Sequence, residues 1–197
     1  MQTIRNFIAG EFVDPIGGAW LDKIEPATGA VVARIADSRA EDVDRAVDAA
    51  AKAFPAWSAL TPEKRCQLLM RLADLIERDL EPLAQAESRD TGKPITLARQ
   101  MDIPRAAANF RFFAGAIVHS RSDCFPMALP REQGGSALNY TLRLPHGVVG
   151  LISPWNLPLY LLSWKIAPAI ATGNTCVCKP SELTPTTAHM LGDLLNE

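Results

Sequence analysis

The spacing of apolar residues changes character along the chain. Over residues 3–36 they come in short bursts. Phe7 and Ile8 are separated from Phe12 and Val13 by Ala9-Gly10-Glu11, which predicts a hairpin. Pro26-Ala27-Thr28-Gly29 predicts a turn leading into a strand over 30–36. The period then lengthens to three and four. Val43, Ala46, Val47, Ala50 and Phe54 mark one face of a helix that Asp37 or Ser38 would cap. Thr61-Pro62-Glu63 joins a cap, a first-turn proline and an acid near the positive helix end, so it starts a helix lined by Leu68, Leu69, Leu72, Leu75 and Ile76. Pro82 begins another helix, and Thr91-Gly92 ends it. A helical stretch over 96–118 contains Pro104, which must kink or restart it.

Residues 120–135 show no period and are expected to be irregular. Alternation returns over 137–144, with Leu138, Tyr140, Leu142 and Leu144 on one face of a strand. The continuous apolar run at 148–152 is typical of a parallel strand buried on both faces. A helix over 157–171, a strand over 175–178 and a helix opened by Thr184-Pro185 follow; the last is expected to be still running at Asn196-Glu197. This β-α-β-α order predicts an α/β protein and the opening half of a Rossmann-like doubly wound parallel sheet. Two parallel strands do not complete such a sheet, so the chain is expected to be part of a longer one. The expected organisation is N-terminal hairpins and helices over 1–119, a linker and an oligomerisation-type strand over 120–146, and the first β-α-β-α of the sheet over 147–197.

Composition narrows the function classes. Twenty basic residues against twenty-two acidic ones, with no basic stripe, argue against nucleic-acid binding. The most apolar stretch, 147–173, contains Pro154, Asn156, Pro158, Lys165 and Pro168, and so is not expected to span a membrane. The first residues show no targeting pattern. Cys66, Cys124, Cys176 and Cys178 form neither a CxxC pair nor a metal array, which predicts a reduced, cytoplasmic protein without a metal site. Cys176 and Cys178 share one strand face and read as small packing residues.

Two segments carry candidate chemistry: Ile152-Ser153-Pro154-Trp155-Asn156-Leu157-Pro158, and the run from Gly173 to Glu182 that contains Lys179-Pro180-Ser181-Glu182. Each lies just past the C-terminal end of a parallel strand, where open α/β sheets bind ligands. The Asn156 amide, on a turn stiffened by two prolines, suits donation to a developing oxyanion. Lys179 and Glu182 suit the hydroxyls of a ribose. Each segment also has a plainer reading, as a loop with a packed Trp and as a surface ion pair, and spacing alone does not choose between them.

The combination resembles the aldehyde dehydrogenase superfamily. PWNLP, an apolar helix, ATGN, a strand and KPSE occur in order, preceded by FIAGEFVD, EPATGAVVARI, AVDAAAKAFPAWS and ESRDTGKPITLARQMDIPRAAANFRFFA. The likeness spans nearly the whole chain. It implies NAD-dependent oxidation of an aldehyde to an acid through a cysteine thiolate, with hydride passing to the nicotinamide. Asn156 would complete the oxyanion hole. Ile152, Ser153, Pro154 and Trp155 would line the cofactor side, and Lys179, Ser181 and Glu182 would hold the adenosine ribose. A carboxylate there disfavours a 2′-phosphate, hence NAD over NADP. The segments 101–113 and 153–171 look most like the 2-aminomuconic and 2-hydroxymuconic semialdehyde dehydrogenases, whose substrates carry a distal carboxylate; Arg105 matches the position that would bind it. In that family the nucleophilic Cys, the general-base Glu and the Gly-Ser turn come later in the chain. The 197 residues alone are therefore expected to be inactive, and a full-length form to be a homo-oligomer. The alternative is a non-catalytic fragment that pairs with a full-length homologue.

Overall fold

The computed structural model describes residues 2–130 and 134–197. Five short strands open the chain: β1 (Gln2–Ile4), β2 (Asn6–Ile8), β3 (Glu11–Val13), β4 (Trp20–Ile24) and β5 (Val31–Ala36). β2 and β3 form the expected hairpin. Its two turn residues, Ala9 and Gly10, both have positive φ (54° and 84°), the backbone that matches the twist of a two-residue hairpin. β5 pairs parallel with β1 and antiparallel with β4. A small cluster of Ile4, Ala33 and Ile35 packs beneath this sheet.

Helix α1 (Ala40–Ser58) starts one residue later than Ser38 would set it and two later than Asp37 would. Arg39 holds the cap position, and its N–H donates to Asp42, which also accepts from Ile16 N–H at 2.9 Å. Ser38 instead donates to Asn6. Along α1 the apolar stripe is only partly covered: Val43 and Val47 remain exposed. Helix α2 (Pro62–Arg78) begins as predicted, with the Thr61 hydroxyl accepting from Lys64 N–H. It buries Leu69, Leu72, Ala73 and Ile76, while Leu68 lies outside the covered face. Helix α3 (Leu80–Thr91) ends at Gly92 in the left-handed conformation, φ 75°. Pro104 has the expected effect. A short helix α4 (Ile95–Leu97) widens into a π-turn over Ala98–Asp102, and α5 (Ile103–Val118) restarts with Pro104 in its first turn, where no N–H is needed.

The stretch expected to be irregular contains a strand, β6 (Cys124–Ala128), paired antiparallel with β7 (Ser136–Tyr140); residues 131–133 of that stretch lie outside the described residues. All five residues of β6 are exposed, so no burial pattern announces it. β7 stops at Tyr140 rather than reaching 144; one more backbone bond, from Thr141 N–H to Asp123 O at 2.9 Å, follows it.

β8 (Val148–Ile152) and β9 (Thr175–Lys179) are parallel, joined by α6 (Pro158–Ala171), and α7 (Thr186–Leu195) follows. β8 is not buried on both faces. Leu151 and Cys178 turn toward the main core, but the opposite face meets only α1, and Ile152 is 71 % exposed. The last helix runs to Leu195 with Asn196 still in the helical conformation, and the Asn196 side chain donates to Gly10 O in the hairpin turn at 3.0 Å. The main core joins α2, α3, α5, α6 and α7 around Leu69, Ile76, Leu83, Phe110, Leu162 and Leu191. Among the described residues no helix is long and apolar enough to cross a membrane.

Candidate active site

Register places the two candidate loops side by side. Ile152 is the Cα partner of Lys179, so β8 and β9 end at the same level. Past that point Ser153 N–H donates to Lys179 O at 3.1 Å, and the Thr184 hydroxyl donates to Trp155 O at 3.3 Å. Lys165 on α6 donates to Ile152 O. The loop leading into α6 and the loop leading into α7 are thus fastened together at one end of the sheet.

Their side chains divide into two groups. Ile152, Pro154, Trp155, Asn156, Lys179 and Glu182 are exposed at this end. Lys179 Nζ and Glu182 Oε2 are 2.8 Å apart, with 64 % and 56 % of their side chains exposed, so both remain reachable by a ligand. The ammonium holds the Glu182 carboxyl below the usual carboxylate range. Paired in this way, an acceptor and a donor stand ready for two neighbouring hydroxyls, and this fits a ribose. Ser153 and Ser181 face inward instead. Ser181 is buried and its hydroxyl accepts from Leu183 N–H at 3.2 Å, which shapes the turn. Ile152 and Lys179 also line an apolar groove of about 350 Å³ against Val43 and Val47 of α1. Cys176 and Cys178 lie on one strand face with sulfurs 3.8 Å apart; the hydrogen bond from Cys178 to Cys176, with burial, pushes the Cys178 thiol up.

Behind the loops lies a buried polar layer that sequence reasoning missed. Asp90 on α3 accepts from the N–H and hydroxyl of Thr186, both at 2.8 Å, and so caps the start of α7. Lys23, only 1 % exposed, reaches Asp90 at 3.4 Å. One turn earlier on α3, Glu87 accepts from the Thr187 hydroxyl at 2.8 Å. Burial pushes its carboxyl up to about 7, against the opposing pull of Thr187 and Lys93. Lys93, just after α3, pairs with buried Asp102 and lies 3.4 Å from Asn156 O. In a sequence these residues look like solvated charges. Their partners are nine to about a hundred residues away, so spacing carries no signal; only the clustering of Glu87, Asp90, Lys93 and Asp102 around one helix end hinted at it.

Arg105 sits on α5 with its guanidinium 5.7 Å from the ring centres of both Tyr160 and Trp164 on α6. Asn109, one turn on, donates to Tyr160 O at 3.2 Å and to the Ser163 hydroxyl at 2.9 Å, which fixes α5 against α6. Arg99 and Arg111, on the same helical stretch, are each paired with carboxylates. Among the described residues no carboxylate lies in ion-pair range of Arg105, so its charge is held by aromatic faces and left open to a ligand.

The sequence model of the Aldehyde dehydrogenase family matches residues 12–197. The chain belongs to the aldehyde dehydrogenase family. Within it, the chain is 54 % identical to the 2-aminomuconic semialdehyde dehydrogenase of Bos taurus over 197 residues, all of this chain and 39 % of that protein. It is 44 % identical to the 2-hydroxymuconic semialdehyde dehydrogenase of Pseudomonas sp. strain CF600, covering 99 % of this chain and 40 % of that one. The crystal structure of PnpE in complex with nicotinamide adenine dinucleotide superposes with a TM-score of 0.91 at 46 % identity, over 99 % of this chain and 39 % of that chain. This aldehyde dehydrogenase chain therefore spans about two fifths of the length of these relatives.

Proposed function

We propose that this chain is the N-terminal part of an NAD-dependent enzyme that oxidises a carboxylate-bearing, muconic-type semialdehyde to the acid. The reading rests on one observation: the Asn156 loop and the Lys179–Glu182 loop are fastened together at the C-terminal end of two parallel strands. We read β8-α6-β9-α7 as the first part of a doubly wound sheet, the architecture in which ligands bind at that end. Lys179 and Glu182 would grip the adenosine ribose. Trp155, Ile152 and Pro154 would wall the cofactor side, and Ser153 and Ser181 would shape it from within. When bound, NAD supplies the hydride acceptor. The chain's own share of the chemistry is electrostatic. The Asn156 amide donates to the oxygen on which negative charge develops, and one such donor is worth about 10²–10³ in rate. The attacking thiolate and the general base belong, by the family pattern, to the remaining length of the relatives.

The substrate reading depends on Arg105, a planar cation without a carboxylate partner among the described residues. A distal substrate carboxylate would accept from two of its N–H groups at once. In the protein at the length of its relatives, Arg105→Ala should raise KM for muconic semialdehydes at least about tenfold and leave KM for uncharged aldehydes within about twofold. Equal effects on both substrate classes would remove the carboxylate-binding role.

A further inference from the structure

An ion pair lies behind the Asn156 loop. Lys93 follows the left-handed Gly92 that ends α3 and is carried toward the loop by that turn. Its ammonium pairs with Asp102, whose side chain is fully buried in the π-turn before α5. The other carboxylate oxygen of Asp102 has no hydrogen-bond partner among the described residues. Lys93 is thus the group that satisfies Asp102, and releasing it would strand a buried charge. An ammonium has three donors. One is spent on Asp102, and another lies 3.4 Å from the carbonyl oxygen of Asn156. The other fastenings of this loop act on Ile152, Ser153 and Trp155. Lys93 acts on the peptide of Asn156 itself.

We propose that Lys93 is a positioning residue for the reaction: anchored by Asp102, its ammonium holds the Asn156 peptide plane and so aims the Asn156 amide at the reacting oxygen. This rests on the reading of Asn156 as an oxyanion donor. Misaiming such a donor removes stabilisation only where charge develops, so the effect belongs to turnover and not to cofactor binding.

The test is a mutant cycle in the protein at the length of its relatives. Lys93→Gln with Asp102→Asn removes both charges together, so no unpaired ion is left inside. This pair of substitutions should lower kcat about tenfold while the Kd for NAD stays within about twofold. Asn156→Ala should lower kcat about 10²–10³-fold. Added to Asn156→Ala, the Lys93 and Asp102 changes should lower kcat less than about twofold further, because the donor they aim is already gone. A full tenfold loss on top of Asn156→Ala, or no loss in the parent, overturns the positioning role and leaves Asn156 untouched. If Asn156→Ala itself keeps normal kcat, the oxyanion reading falls, and this inference with it. Should the neutral pair fail to fold, Lys93→Arg keeps the charge and moves the donor; the same selective loss of kcat is expected, and parental kcat would overturn the role.

Discussion

Glu87 shows what one buried carboxyl does to the whole fold's response to pH. It is fully buried, with one oxygen bonded to Thr187 and the other without a partner among the described residues. Burial pushes its pKa from 4.5 to about 7. The folded state therefore holds this proton more tightly than the unfolded chain does. The stabilisation is present in full below the unfolded value and is lost as pH rises through the folded one. Across that window the loss is on the order of 3 kcal/mol. Glu87→Gln keeps a group that can accept from Thr187 but cannot ionise. Its stability, followed by urea unfolding between about pH 5 and pH 8, should lack the decline seen in the parent over the same range. Parallel curves for the two proteins would show that Glu87 does not titrate there. At the same scale, Arg105 was legible as a candidate from its place in the family pattern, but not as a cation set against two aromatic faces. That status comes from Tyr160 and Trp164, fifty-five and fifty-nine positions further on.

Between elements, the strongest polar joint is where α3 meets α7 and β4. Asp90 serves the first turn of α7 and the buried Lys23 at once. Asp90→Ala leaves the Lys23 ammonium, in a site that is 1 % exposed, with the carbonyls of Ile24 and Asp90 but no opposing charge, and should cost about 3–5 kcal/mol in urea unfolding. By contrast Arg99→Ala breaks a pair with Glu81 in which both side chains are more than 40 % exposed and screened by water, and should cost far less in the same assay. Similar costs for the two would contradict the burial argument. Elements with strong local punctuation were readable in advance. Thr61-Pro62 opens α2, Gly92 closes α3, and Gly10 turns the hairpin, each because a backbone requirement selects a particular residue type. β6 was not readable, because Pro126 interrupts it and none of its side chains is buried. The cap of α1 was misplaced because the carboxylate that reaches back is Asp42, inside the helix, and not a residue before it.

At the scale of the molecule, apolar surface is left uncovered in the groove between α1 and β8 and along the β6–β7 hairpin with the segment after it. Leu138, Tyr140, Leu142 and Leu144 are 67–72 % exposed, and an isolated two-stranded ribbon is marginal in water. The 197-residue chain should therefore self-associate at micromolar concentrations in sedimentation velocity. Leu138→Lys with Leu142→Lys should reduce that association and leave the melting temperature unchanged, since neither side chain contributes to the core. A parent chain that stays monomeric across the range would refute this. Because Glu87 and Asp90 of α3 grip α7 while the segment just beyond that helix reaches Asn156, a tilt of α3 would carry both loops in the same direction. Drift there would re-aim the pair as a unit and preserve the gap between them, so the distance from one loop to the other is protected from change in a part of the protein that lies behind both.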